Sequence, residues 1–76
     1  MRPFTAMHIA AIALADGGLV YLTEDDSWTR QPSEAELIED EAHGQLRLLT
    51  AQAQARSGRR PIAAPRLAEA RTAAAA

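Results

Sequence analysis

Seventy-six residues with a formal net charge of −2 and no cysteine describe at most one small domain, and they exclude a disulfide, a thiolate metal site and a cysteine nucleophile within it. A chain of this size buries only about 60% of the surface it exposes when unfolded, and without such staples it leans on a partner or on copies of itself. The apolar content is largely alanine, with one Phe, one Tyr and one Trp, so bulky core material is scarce.

Residues 1–6 read as a leader, with Met7 a second candidate start. Arg2, the apolar stretch 6–15 and Ala13-Leu14-Ala15 before Asp16 imitate a secretory signal. His8 and the alanine-rich composition argue against it, and cleavage there would remove a first strand. The stretch is also far short of the about 20 residues that span a bilayer. The expectation is a cytoplasmic protein with no membrane contact.

Residues 7–15 form the first strand candidate, Asp16-Gly17-Gly18 a turn and residues 19–23 the second strand. Alternation places Leu19, Tyr21 and Thr23 on one face and Val20 and Leu22 on the other. Glu24-Asp25-Asp26-Ser27 is an exposed acidic turn. Trp28 then returns a large apolar surface to the sheet, either as core or as a binding anchor.

Gln31-Pro32-Ser33 breaks the chain, and Ser33-Glu34-Ala35-Glu36 has the form of a capping box. A second helix start lies at Asp40 with Glu41 inside it. Ala35, Ile38, Ala42, Leu46, Leu49 and Ala53 recur at helical spacing. Two readings stand: one helix over 34–56, with Gly44 costing about 1 kcal/mol relative to Ala; or a turn at 33–35, an extended 36–38 and a helix from Asp40 to about Arg56. Ser57-Gly58 ends the helix. Residues 61–65 read as an extended edge strand. From Arg66 the chain is alanine-rich, with a frayed helix the alternative to weak order.

Charge is unevenly spread. Asp16, Glu24, Asp25, Asp26, Glu34, Glu36, Glu39, Asp40 and Glu41 face only Arg30 over residues 16–41, whereas Arg47, Arg56, Arg59, Arg60, Arg66 and Arg71 face only Glu69 beyond them. Such asymmetry steers association with a charged partner; the plainer reading is a solvated acidic segment followed by a basic tail.

No catalytic motif emerges. Glu39 and His43 lie four residues apart, as a two-ligand half-site would, but a zinc site needs further ligands that no spacing supplies. The serines lack a nucleophile-elbow setting, and Asp16-Gly17-Gly18 is not a phosphate loop. Arg56-Ser57-Gly58-Arg59-Arg60-Pro61 is too small a basic cluster, beside an acidic segment, for a nucleic-acid footprint; it reads as a solvated linker. No catalytic, metal or cofactor residue is expected, and the chain reads as a non-enzyme.

Gly17-Gly18-Leu19-Val20-Tyr21-Leu22-Thr23, Trp28 and Ala35-Glu36-Leu37-Ile38-Glu39-Asp40-Glu41 resemble a family of small bacterial proteins encoded beside the genes of assimilatory sulfite reductase and sirohaem synthesis. The resemblance runs from Met7 to Ala55. The chain departs from it at Ile12, where members carry a polar residue, and in its reduced strand and tail from Pro61. The resemblance implies an accessory role in sulfur assimilation rather than an activity: a module that binds sulfite reductase or a sirohaem-pathway enzyme. Tyr21, Glu24, Asp25, Asp26, Trp28 and Asp40 are the candidate partner-binding residues. The competing expectation is a self-associating or structural subunit unrelated to sulfur, with Ile9, Ile12, Leu46 and Leu49 forming a homo-oligomer contact.

The expected architecture is a small α+β domain over residues 7–56: a β-hairpin, a short third strand or turn at 36–38, and one main helix packed across the sheet. A weakly ordered, basic, Ala-rich tail follows over 57–76.

Overall fold

A computed structural model describes residues 6–70. Its elements are β1 (Met7–Ala13), β2 (Leu19–Leu22), β3 (Trp28–Thr29), a 3-10 turn (Pro32–Glu34), α1 (Glu41–Ser57) and β4 (Ile62–Glu69). The four strands form one antiparallel sheet in the order β3-β2-β1-β4, and α1 packs on one face of it. This is the expected α+β class.

The hairpin forms where turn chemistry permits. Gly17 takes a positive φ of 76°, a conformation that costs glycine little. Its N–H donates to the Ala13 carbonyl at 2.7 Å, and the Gly18 N–H donates to Asp16 Oδ1 at 3.0 Å. Strand alternation then sends Val20 and Leu22 inward, both buried, and leaves Leu19 exposed. At the other end of β2 the chain turns on Thr23–Ser27 hydrogen bonds, with Asp26 at φ 67°.

The third strand is Trp28–Thr29, paired to β2 as Leu22↔Trp28 and Tyr21↔Thr29. The strand anticipated at 36–38 is reduced to one bridge, Met7↔Ile38. The reason is topological. β2 turns away after Leu22, and Ile38 takes the vacated place beside β1 with two backbone hydrogen bonds of 2.8 Å to Met7. Ile38 is fully buried.

Of the two helix readings, the broken one holds. The Ser33 capping box is not made: the 3-10 turn has no side-chain cap, and the Glu36 N–H donates to the Leu22 carbonyl instead. Asp40 caps α1, accepting from the His43 N–H at 2.9 Å. Gly58 closes it at φ 75°, and Arg56 complements the helix C-terminal dipole.

The face of α1 that meets the sheet is not the anticipated stripe. Gly44 and Ala51 are buried, and Leu48 and Ala55 pack against the core. Leu46 and Leu49 are 63% and 58% exposed. The stripe counted through Ile38 assumed a continuous helix; the extended residues before Asp40 reset the register. Small residues then let the helix lie close. A Cβ on Gly44 would meet Leu67 Cδ2 at 3.3 Å and Ile38 Cγ2 at 3.4 Å.

The largest correction concerns the tail. The anticipated edge strand at 61–65 is present but runs on to Glu69, along the whole of β1 from Ala13↔Ile62 to Met7↔Glu69. Residues 66–69 are therefore sheet, neither a frayed helix nor weakly ordered, and the folded unit extends beyond 56. Pro65 is tolerated because the register shifts between Ala10 and Ile12, with Ala64 at φ 52°; a bulge on an edge strand accommodates a residue without an N–H. The anticipated order of residues 71–76 and of the leader up to residue 5 lies outside the described residues.

Two clusters fill the space under the helix. Ile9, Leu22, Ile38 and Ala51 form one, and Ala11, Ala13, Val20 and Ile62 the other. Trp28 packs against both. Its indole N–H donates to Gln54 Oε1 at 2.8 Å, which satisfies the polar end of a half-buried side chain.

Candidate functional site

Strand directions place residues 23–27 and 35–41 at one end of the sheet, beside Met7. The β1–β2 turn, Arg30 and the α1–β4 connection lie at the other. The fold thus turns an uneven sequence into a polarised molecule. Glu24, Asp25, Asp26, Glu36, Glu39, Asp40 and Glu41 gather at the first end, and Arg30, Arg56, Arg59 and Arg60 at the second.

Arg47 organises the acidic end. Reaching out of α1, its Nε donates to Glu36 Oε1 at 2.6 Å, Nη1 meets Asp26 Oδ1 at 2.7 Å, and Nη2 donates to the Thr23 carbonyl at 2.9 Å. One guanidinium therefore clips the helix to the β2–β3 turn and to the segment before α1. Burial by itself lowers the Arg47 pKa, but its hydrogen bonds to Asp26 and Glu36 outweigh that and hold it above the ordinary value. His43 Nε2 lies 3.4 Å from the second Glu36 oxygen.

The nominated residues divide by role. Asp26 is held by Arg47. Asp25 accepts from the Thr23 hydroxyl, the main reason its carboxyl titrates below the ordinary range. Asp40 is the helix cap. Glu24 is exposed and has no ion-pair partner among the described residues. These acids share one end of the molecule. The two aromatics do not share a surface. Trp28 lies under the helix, whereas Tyr21 lies on the opposite sheet face, its ring 4.7 Å from that of His8 in an edge-on contact. Desolvation by burial lowers the His8 pKa.

Among the described residues no helix covers that opposite face. The pairings Ala10↔Tyr21 and Ile12↔Leu19 set its apolar middle, and Leu19 is 45% exposed.

Arg47 and Glu36 escaped the sequence reading as a linked pair. Their signal exists only once the helix is known to start at Asp40, because that register turns Arg47 inward between Gly44 and Ala51. The Glu39–His43 half-site does not assemble as drawn: His43 faces Glu36, and the described residues hold no group of three or more metal-ligating side chains. Among them no helix is long and apolar enough to cross a membrane.

Sheet, helix and unevenly placed charge define a small α+β module with an acidic end and a basic end. The chain belongs to the family described as proteins of unknown function (DUF2849), which it matches over residues 8–76. No curated protein and no solved structure matches it significantly.

Proposed function

We propose that this chain is a non-catalytic interaction module that docks a partner protein through its acidic end. The observation that carries the reading is the Arg47 clip. It fixes Asp26 and Glu36 in place while Glu24, Asp25 and Glu39 remain exposed around them. Pre-ordered charge of one sign steers encounter with a basic surface and favours register over raw affinity. The resemblance of the hairpin motif directs the choice of partner to a cytoplasmic enzyme of assimilatory sulfite reduction or of sirohaem synthesis.

The test is affinity capture from the native host grown on sulfate as sole sulfur source, with E24R/E39R as a paired control. Sulfite reductase or a sirohaem-pathway enzyme retained by the wild type and lost from the variant supports the reading. Equal retention by both, or failure of purified pathway enzymes to bind at concentrations on the order of 10 µM and low salt, rejects it.

One observation favours a second reading, a self-associating subunit: among the described residues no helix covers the sheet face with Ile12, Leu19 and Tyr21. Ile9 of the anticipated contact is core, and Leu46 and Leu49 are exposed on α1, so Ile9, Ile12, Leu46 and Leu49 form no single surface. Sedimentation velocity separates the two readings. A salt-insensitive dimer abolished by Leu19→Glu supports self-association, and a monomer at all salt concentrations excludes it.

A further inference from the structure

The basic end holds an open cleft of about 460 Å³ between the β1–β2 turn, β3 and the start of β4. Ala13, Val20 and Ile62 line it together with Trp28, Arg30 and Arg60. An apolar pocket of this size with a few convergent polar groups is the usual form of a small-ligand site.

Its two cations differ in setting. Arg30 is pre-oriented: its Nη2 lies 3.1 Å from Asp16 Oδ2, and Asp16 is itself held by the Gly18 N–H at 3.0 Å. The guanidinium also occupies space that a side chain would fill, since a Cβ on Gly18 would fall 2.9 Å from Arg30 Nη1. Arg60 has no carboxylate partner among the described residues. Asp16 thus offsets one charge while orienting it, and the second remains available.

We infer that this cleft binds a small organic anion, a carboxylate or a phosphate monoester joined to an apolar or aromatic body. The guanidiniums take the anionic head, which their planar donor fork suits. Ala13, Val20 and Ile62 cover the body, and the Trp28 ring offers it an aromatic surface. The site stands at the opposite end from the acidic docking surface and does not depend on it.

Amide-detected NMR titration of the whole chain tests this with phenyl phosphate, benzoate and, as neutral analogue, benzyl alcohol. The expected result is saturable shifts confined to the Trp28 indole N–H and the Val20 and Ile62 amides. Affinity for an anion is expected on the order of 1 mM or tighter, with no comparable response to benzyl alcohol. The stronger of the two anions identifies the preferred head group. Arg60→Ala is expected to weaken binding at least about fivefold, while the charge-matched R59A, outside the cleft, stays within about twofold of wild type. Equal responses to benzyl alcohol, equal losses from R59A and R60A, or no shift with either anion up to about 10 mM overturn the assignment. So do pocket resonances that move with protein concentration alone, which mark the acidic end of a second copy as the occupant.

Discussion

Arg47 and Glu36 meet at 2.6 Å, Nε to Oε1, with side chains only 15% and 13% exposed. A pair at that depth is worth little as an addition but is costly to break on one side, because the remaining charge keeps its desolvation without its partner. Arg47→Met is therefore expected to destabilise the fold by about 2 kcal/mol. The double variant with Glu36→Gln should cost less than the sum of the singles, by about 1 kcal/mol. Urea unfolding of the four proteins measures both values; simple additivity would contradict the clip.

Leu48 and Leu46 lie on opposite sides of α1, and the fold assigns them different fates. Leu48→Gln should lose about 2 kcal/mol or more, since Leu48 packs against the Ile9 cluster. Leu46→Gln and Leu49→Gln should stay within about 0.5 kcal/mol, as exposed substitutions do. Thermal melts of the three variants check the register of the helix directly.

That register marks the limit of what the sequence discloses. The hairpin, the turn at Gly17, the cap at Asp40 and the stop at Gly58 are local chemistry, so they were legible. The buried face of α1 was not, because apolar residues lie all round it and the sheet is met by Gly44 and Ala51, which patterning scores as weak. β4 is faint for the same reason: Ala63, Ala64 and Ala68 carry little apolar signal, and Pro65 looks like a stop until a bulge places it on an edge. The acids around Asp25 and Asp40 were recognised from composition. Arg47 fixes Asp26 and Glu36 rather than Asp25 and Asp40, and its reach to the Thr23 carbonyl, 24 residues away in sequence, completes the clip; no local pattern reports these contacts.

Gly44 is where α1, Ile38 and Leu67 come closest. Gly44→Val places a branched side chain into space already reached at 3.3 Å by Leu67. The expected loss is about 2 kcal/mol despite the better intrinsic helix propensity of valine. Chemical denaturation measures it, and a stabilised variant would show that the helix does not lie this close.

Trp28 joins the two core clusters, whereas Tyr21 faces away from the helix. Trp28→Ala should cost about 3–5 kcal/mol and leave a marginal or unfolded chain. Tyr21→Ser should retain a cooperative transition, with a loss of about 1 kcal/mol. Circular dichroism melts distinguish them.

His8 supplies a pH dependence. Desolvation holds its folded-state pKa below the ordinary value of 6.5. The unfolded chain therefore binds the proton at higher pH than the folded one, so stability rises with pH through that interval. The contribution is present in full above the unfolded value and is lost as pH falls through it toward the folded pKa. Thermal midpoints should drop between pH 7.5 and 5.5 by more in the wild type than in His8→Phe. An imidazole titrating at or above 6.5 by NMR would contradict this.

The central claim is that the acidic end docks a partner, and the most direct measurement is binding of the immobilised chain to purified sulfite reductase from the same organism. It is made at about 50 and 300 mM salt, with E24R/E39R alongside and with the purified sirohaem-pathway enzymes assayed in the same way. The account predicts saturable binding that weakens at least about tenfold between the two salt concentrations and is lost in the variant. Binding that ignores both salt and charge reversal, or no binding at low salt, would contradict it.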